Sequence, residues 1–183
     1  ENDKVEIRFT NKGGRVYSAR LKDYKTHDSL PLILFEGDEA LLDFTLVTAT
    51  NRVVNTAGMY FQAIPGNDPN TLTMRLSAGD GRHLDFTYTL SKDDYMVKMD
   101  IKGTGLNGVL SPSTNALDLN WEQKIRQQEK GRKFEDQYAA IYYKFVADDV
   151  EYLSETKNDS KQLSNRLKWI AYKDKFFSTV LIS

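Results

Sequence analysis

The sequence predicts an all-β domain, an antiparallel β-sandwich with few or no helices. Three observations carry this: an explicit N-terminal hairpin, a three-strand meander near mid-chain, and the lack of any long amphipathic helical pattern. In the hairpin, Val5, Ile7 and Phe9 alternate with Glu6, Arg8 and Thr10, the period of a strand with one buried face. Asn11-Lys12-Gly13-Gly14 then breaks the alternation with residues that accept positive φ at little steric cost. A second strand follows, with Tyr17, Ala19 and Leu21 facing one way and Ser18, Arg20 and Lys22 the other.

The meander begins with Leu72, Met74 and Leu76 and turns over Ser77 to Arg82, where Asp80-Gly81 is a strong hairpin signal. Leu84, Phe86, Tyr88 and Leu90 then face inward against Asp85, Thr87 and Thr89. After the turn Ser91-Lys92-Asp93-Asp94, the row Tyr95, Val97, Met99 and Ile101 alternates with Met96, Lys98 and Asp100. Gly103, Gly105, Gly108 and Pro112 mark a loop before a short strand holding Leu117, Leu119 and Trp121. From Glu122 to Gln137 the residues favour a helix by propensity. Gly131 interrupts them, however, and Ile125 and Phe134 lie too far apart to build a face, so strand ends around a charged loop are expected. Ala139 to Phe145 reads as a strand, Glu151 to Leu153 as a short one, and Thr156 to Lys161 as a polar turn. Trp169 to Ile182 reads as two strands joined at Lys173-Asp174-Lys175.

Composition narrows the function. A chain of 183 residues fits one domain, 1–183, with a sizeable core. A net charge of −1 and a pI near 6.2 speak against nucleic acid as a partner, and Lys130 to Lys133 is flanked by Glu129, Glu135 and Asp136. The absence of cysteine excludes disulfides, thiolate metal sites and a cysteine nucleophile. His27 and His83 are too few for a three-histidine zinc site, and their turn-like neighbours predict surface positions. No apolar run is long enough to cross a bilayer, and no signal peptide opens the chain. Starting at Glu1, it reads as a mature or excised segment, so missing targeting signals say little.

Catalytic patterns are weak. Asp93-Asp94 and Asp148-Asp149 read as turn or strand pairs that cap amides or point to opposite faces. No Gly-x-Ser-x-Gly elbow is present, and Gly103-Thr104-Gly105 lacks the Lys-Ser/Thr of a phosphate loop. No catalytic, metal or cofactor residue is therefore assigned. The aromatics are more informative. Tyr60-Phe61, Tyr142-Tyr143 and Phe176-Phe177 each put one ring on either face of a strand, one for the core and one for a groove. Tyr60, Tyr143 and Phe177 are the candidate residues of a peptide or partner groove.

Three ordered blocks carry a family resemblance. Asn11-Lys-Gly-Gly14 followed by Leu21-Lys-Asp-Tyr24 resembles the opening of the large periplasmic domain of YidC, the bacterial inner-membrane protein insertase. Leu84-Asp-Phe-Thr-Tyr-Thr-Leu-Ser-Lys-Asp-Asp-Tyr95 is similar to that domain's central hairpin, and Trp169-Ile-Ala-Tyr-Lys-Asp-Lys-Phe-Phe177 to a later aromatic block. Gly37 to Asn70 match no block. The resemblance implies a β-supersandwich related to galactose mutarotases, inserted after the first transmembrane helix and held in the periplasm at both ends by flanking helices outside this chain. It implies partners as well: the Sec translocon, the SecDF accessory complex and nascent membrane proteins. Against the family pattern the chain reads as truncated after Ser183, leaving a sheet edge that more strands and a terminal helix would cover. A non-enzymatic scaffold or docking surface is the expected function. A carbohydrate-binding or mutarotase-like module is the alternative, and a structural β-domain of a surface lipoprotein is a third.

Overall fold

A computed structural model describes residues 1–112, 116–147, 149–154 and 157–183. Asp148 and Thr156, read above as part of an acidic pair and the start of a turn, lie outside the described residues. Strands β1 (Val5–Thr10) and β2 (Arg15–Lys25) form the expected hairpin, with Val5 opposite Leu21 and with Gly13 and Gly14 at φ of 81° and 63°. The register slips between Arg8, opposite Ser18, and Phe9, opposite Val16. Tyr17 is therefore the extra residue of a β-bulge, and it points to solvent while Val16 packs inward. The expected row of Tyr17, Ala19 and Leu21 is corrected in its first member, because a bulge reverses the phase of a two-residue period.

The next four strands fall where the sequence offered little alternation. β3 (Pro31–Glu36) pairs with β2, and β4 (Ala40–Val47) pairs with β5 (Val53–Asn55). β6 (Gln62–Pro65) adds a fourth strand to the meander of β7 (Thr71–Ser77), β8 (His83–Leu90) and β9 (Val97–Thr104). Leu30 to Phe35 is a near-continuous apolar run, and Asp43 is a buried acid in β4, so neither shows the one-face pattern. β9 starts two residues later than expected, and Tyr95 and Met96 stay exposed in the preceding turn.

β10 (Asp118–Gln123) pairs with β4 to give the order β10-β4-β5. The charged segment after it contains a five-residue helix, α1 (Arg132–Asp136), instead of loop alone. Gly131 starts this helix: its carbonyl accepts from Phe134 and Glu135 N–H groups at 2.9 Å, and an Arg132–Asp136 ion pair at 2.8 Å closes the turn. β11 (Ala140–Phe145), β12 (Val150–Ser154), β13 (Leu167–Lys173) and β14 (Ser178–Ile182) complete a sheet of order β12-β11-β13-β14. All strand pairs named here are antiparallel.

The main core lies between the β4 and meander sheets. Phe86 is its centre, with ring centroids 5.3 Å from Phe44 and 4.9 Å from Phe61. A second cluster, Val5, Leu21, Leu32 and Leu90, joins the first sheet to the end of the meander and receives Phe177. At the amino end, Asn2 fastens the same two layers. Its Nδ2 donates to the carbonyls of Ser91 and Asp94 (2.7 and 2.8 Å), and its Oδ1 accepts from the N–H groups of Lys4 and Val5. The C-terminal sheet is attached by Tyr172, whose hydroxyl donates to the Trp121 carbonyl at 2.9 Å, and by Thr179, whose hydroxyl accepts from the Gln123 side-chain amide at 3.1 Å. Gln128 accepts at its carbonyl from His27 N–H, donates its side-chain amide to the Ile33 carbonyl, and donates its backbone N–H to Glu135.

Candidate functional site

Where β1 leans over the end of the meander, the two sheets diverge and leave an apolar cleft of about 250 Å³. Ile7 and Phe9 of β1 form one wall, with Leu72, Tyr88, Leu90 and Val97 opposite. The β8 alternation explains the placement. Leu84 and Phe86 fill the deep core, while Tyr88 and Leu90, further along the same face, also line the space between the sheets. Tyr88 is buried, its ring is 4.8 Å from that of Phe9, and its hydroxyl donates to the Gly14 carbonyl at 2.9 Å. Burial pushes the phenol pKa well up, so the hydroxyl is a neutral donor already spent on the first turn. The cleft therefore presents ring and aliphatic surface. The polar side chains beside it are those of Glu1, Asn70 and Thr71.

The three candidate groove residues do not meet. Tyr60 is 73% exposed beside the first hairpin turn, where it bridges to Lys12. Tyr143 is 1% exposed within the C-terminal sheet, and its hydroxyl donates to Glu151 at 2.7 Å, so Tyr142 is the more open member of that pair. Phe177 is half-buried edge-on to Tyr24, 5.2 Å away, at the junction of two sheets. The cleft residues were visible in sequence only as inward-facing strand positions. Nothing in a two-residue period says where two sheets part.

Several polar side chains elsewhere have structural partners. His27 is exposed, but His83, expected at the surface, is half-buried, with Nδ1 2.9 Å from the Gly81 carbonyl and Nε2 3.6 Å from Asp85. Asp85 is gripped by both Nε and Nη2 of Arg75 at 2.8 and 2.7 Å, which holds its carboxyl below the usual range. Asp94 caps the N–H of Tyr95, as its turn position predicts. Among the described residues no group of three or more His, Asp and Glu side chains is placed to hold a metal ion.

Two buried carboxyls face each other below α1. Glu135 accepts from Gln128 N–H through Oε1, and its Oε2 has no protein donor; Asp174 lies within hydrogen-bonding reach of it. Burial raises the Asp174 pKa from 3.8 to about 6, and the neighbouring Glu135 adds to the shift. The native chain thus keeps this proton up to about pH 6, whereas the unfolded chain gives it up near 3.8. Between these values the folded state binds more protons, so stability falls as pH rises. The fall attributable to Asp174 is expected to be about 1–3 kcal/mol, complete by about pH 7. Urea midpoints at pH 4.5 and 7.5 check this. Asp174→Asn should flatten the decline, and an unchanged decline would sink the assignment.

Fold and cleft together place the chain in the class of antiparallel all-β domains with an apolar inter-sheet cleft. The family model described as the YidC periplasmic domain matches residues 1–183, and the chain belongs to that family. It is 68% identical over 183 residues to a Parabacteroides distasonis protein named membrane protein insertase YidC, covering 100% of this chain and 29% of the relative. Proteins of the same name from Azobacteroides pseudotrichonymphae and Bacteroides fragilis are 47% and 44% identical, again over 100% of this chain and 30% and 29% of their own lengths. The chain thus spans less than a third of these relatives. No solved structure matches.

Proposed function

We propose that this domain is a non-enzymatic docking module of a membrane protein insertase. It sits in the periplasm, tethered to the inner membrane by segments of a longer protein. Its occupants would be extended apolar polypeptide, from emerging membrane proteins or from subunits of the Sec translocon and its SecDF accessory complex. The carrying observation is the cleft beside β1. β1 is the outer strand of its sheet, paired on one side by β2, and apolar side chains floor the space next to it. An added strand would gain main-chain hydrogen bonds at the edge and bury alternate side chains in the cleft. Photocrosslinkers at Asn70 and Thr71 of the full-length insertase are expected to capture nascent chains or Sec subunits. Adducts from exposed Tyr60 but none from these two positions would overturn the reading. The carbohydrate alternative has less support, because a sugar site pairs an aromatic platform with several convergent polar groups, and the Tyr88 hydroxyl is already occupied.

A further inference from the structure

The C-terminal sheet covers β10 with one face and leaves the other open. Tyr172 and Thr179, opposite each other, face inward to Trp121 and Gln123. Alternation then puts Tyr142, Tyr152 and Val180 in one outward row with Ala171, and Trp169 and Ile182 in the next. A solvated face of an antiparallel sheet should be polar. Here the Tyr142 and Tyr152 rings stack at 5.3 Å, and Tyr152, Val180 and Ile182 are exposed. Lys173 Nζ stands 5.9 Å over the Tyr142 ring. At the β13–β14 end of the sheet, Lys175 Nζ lies 4.2 Å from the Phe134 ring centroid and 4.7 Å from that of Phe176, and both rings are exposed.

Among the described residues the charge at these rings is one-sided. Lys173 donates to the Asp174 carbonyl oxygen, Lys175 lies over rings, and among the described residues neither has a carboxylate partner. Among the described residues, Glu135 and Asp174 are buried beneath, and Asp136 is paired with Arg132. We propose that this face rests on the headgroup region of an anionic phospholipid bilayer. Tyrosine, tryptophan and phenylalanine rings beside aliphatic side chains suit the boundary between headgroup and acyl chain. Lysines on long stems reach anionic phosphates beside such rings. A second copy of the chain would bring Lys173 and Lys175 against the same cations, whereas an anionic surface complements them. The surface is separate from the β1 cleft, so bilayer binding and peptide docking stand or fall independently.

Sedimentation of the 1–183 chain with phosphatidylglycerol-rich vesicles, against phosphatidylcholine alone, is the test. Binding is expected only with the anionic vesicles, weakened by salt, and with Trp169 fluorescence quenched by brominated acyl chains in a Trp121→Phe background. A Lys173→Glu, Lys175→Glu double variant should lower partitioning by about tenfold or more, since each lysine at an anionic surface is worth roughly a fivefold factor. Tyr152→Ser, which removes an exposed ring and no charge, should also weaken it while leaving circular dichroism and the melting temperature unchanged. Absence of binding overturns the proposal, as does binding insensitive to all three substitutions. A concentration-dependent dimer that Tyr152→Ser abolishes would assign the face to a second copy instead.

Discussion

Gly14→Ala is expected to destabilise the domain by about 2–5 kcal/mol, well beyond an ordinary glycine substitution. Two costs add. Gly14 has a φ of 63°, and a side chain in that left-handed region costs about 1–2 kcal/mol. An added Cβ would also lie 2.7 Å from the Phe61 ring, which is buried and stacked on Phe86, so relief means moving the core, at about 1–3 kcal/mol. Gly13 isolates the first cost. Its φ is 81°, but its added Cβ meets nothing closer than 3.6 Å, so Gly13→Ala should lose only about 1–2 kcal/mol. Urea unfolding of the two variants side by side measures the difference. Equal losses would show that Phe61 yields without cost.

Phe86→Ala is expected to cost about 3–5 kcal/mol, the range for emptying a buried aromatic site. Phe86 is 1% exposed and holds Phe44 of β4 and Phe61, just before β6, at once, so little can collapse into the space. Against the about 5–15 kcal/mol typical of native domains, this loss would leave the chain near its unfolding threshold at 37 °C. Calorimetry of Phe86→Ala beside Tyr60→Ala is the check, because exposed Tyr60 should change stability by less than about 0.5 kcal/mol. A Phe86→Ala protein that melts close to wild type would remove Phe86 from the centre of the core.

Local signals in the sequence foretold local structure. Gly13-Gly14 and Asp80-Gly81 stand at turns because their positive φ values demand such residues, and the Leu84 to Leu90 row is buried as its period predicts. Tyr17 defeated the same logic, because a bulge depends on the partner strand and leaves no local mark. α1 escaped for a related reason: one turn of helix needs no apolar face when Glu135 is fixed from below by Gln128. The paired aromatics led to the expectation of one core ring per pair, which Phe61 and Tyr143 meet and the half-buried Phe177 meets in part. Choosing Tyr142 over Tyr143 as the more open one required knowing which face meets β10. Gln128 was equally illegible, since two of its three partners, His27 and Ile33, lie far away at the other end of the chain.

Asn2 has a mechanical consequence. Its one side chain holds the entry to β1 and the β8–β9 turn together. Tension applied at residue 1 is therefore divided between two sheets before any strand carries it alone, and β1 cannot peel away like the free leg of a hairpin. In a chain pulled from its amino end by a mobile anchor, that single amide is the strain relief.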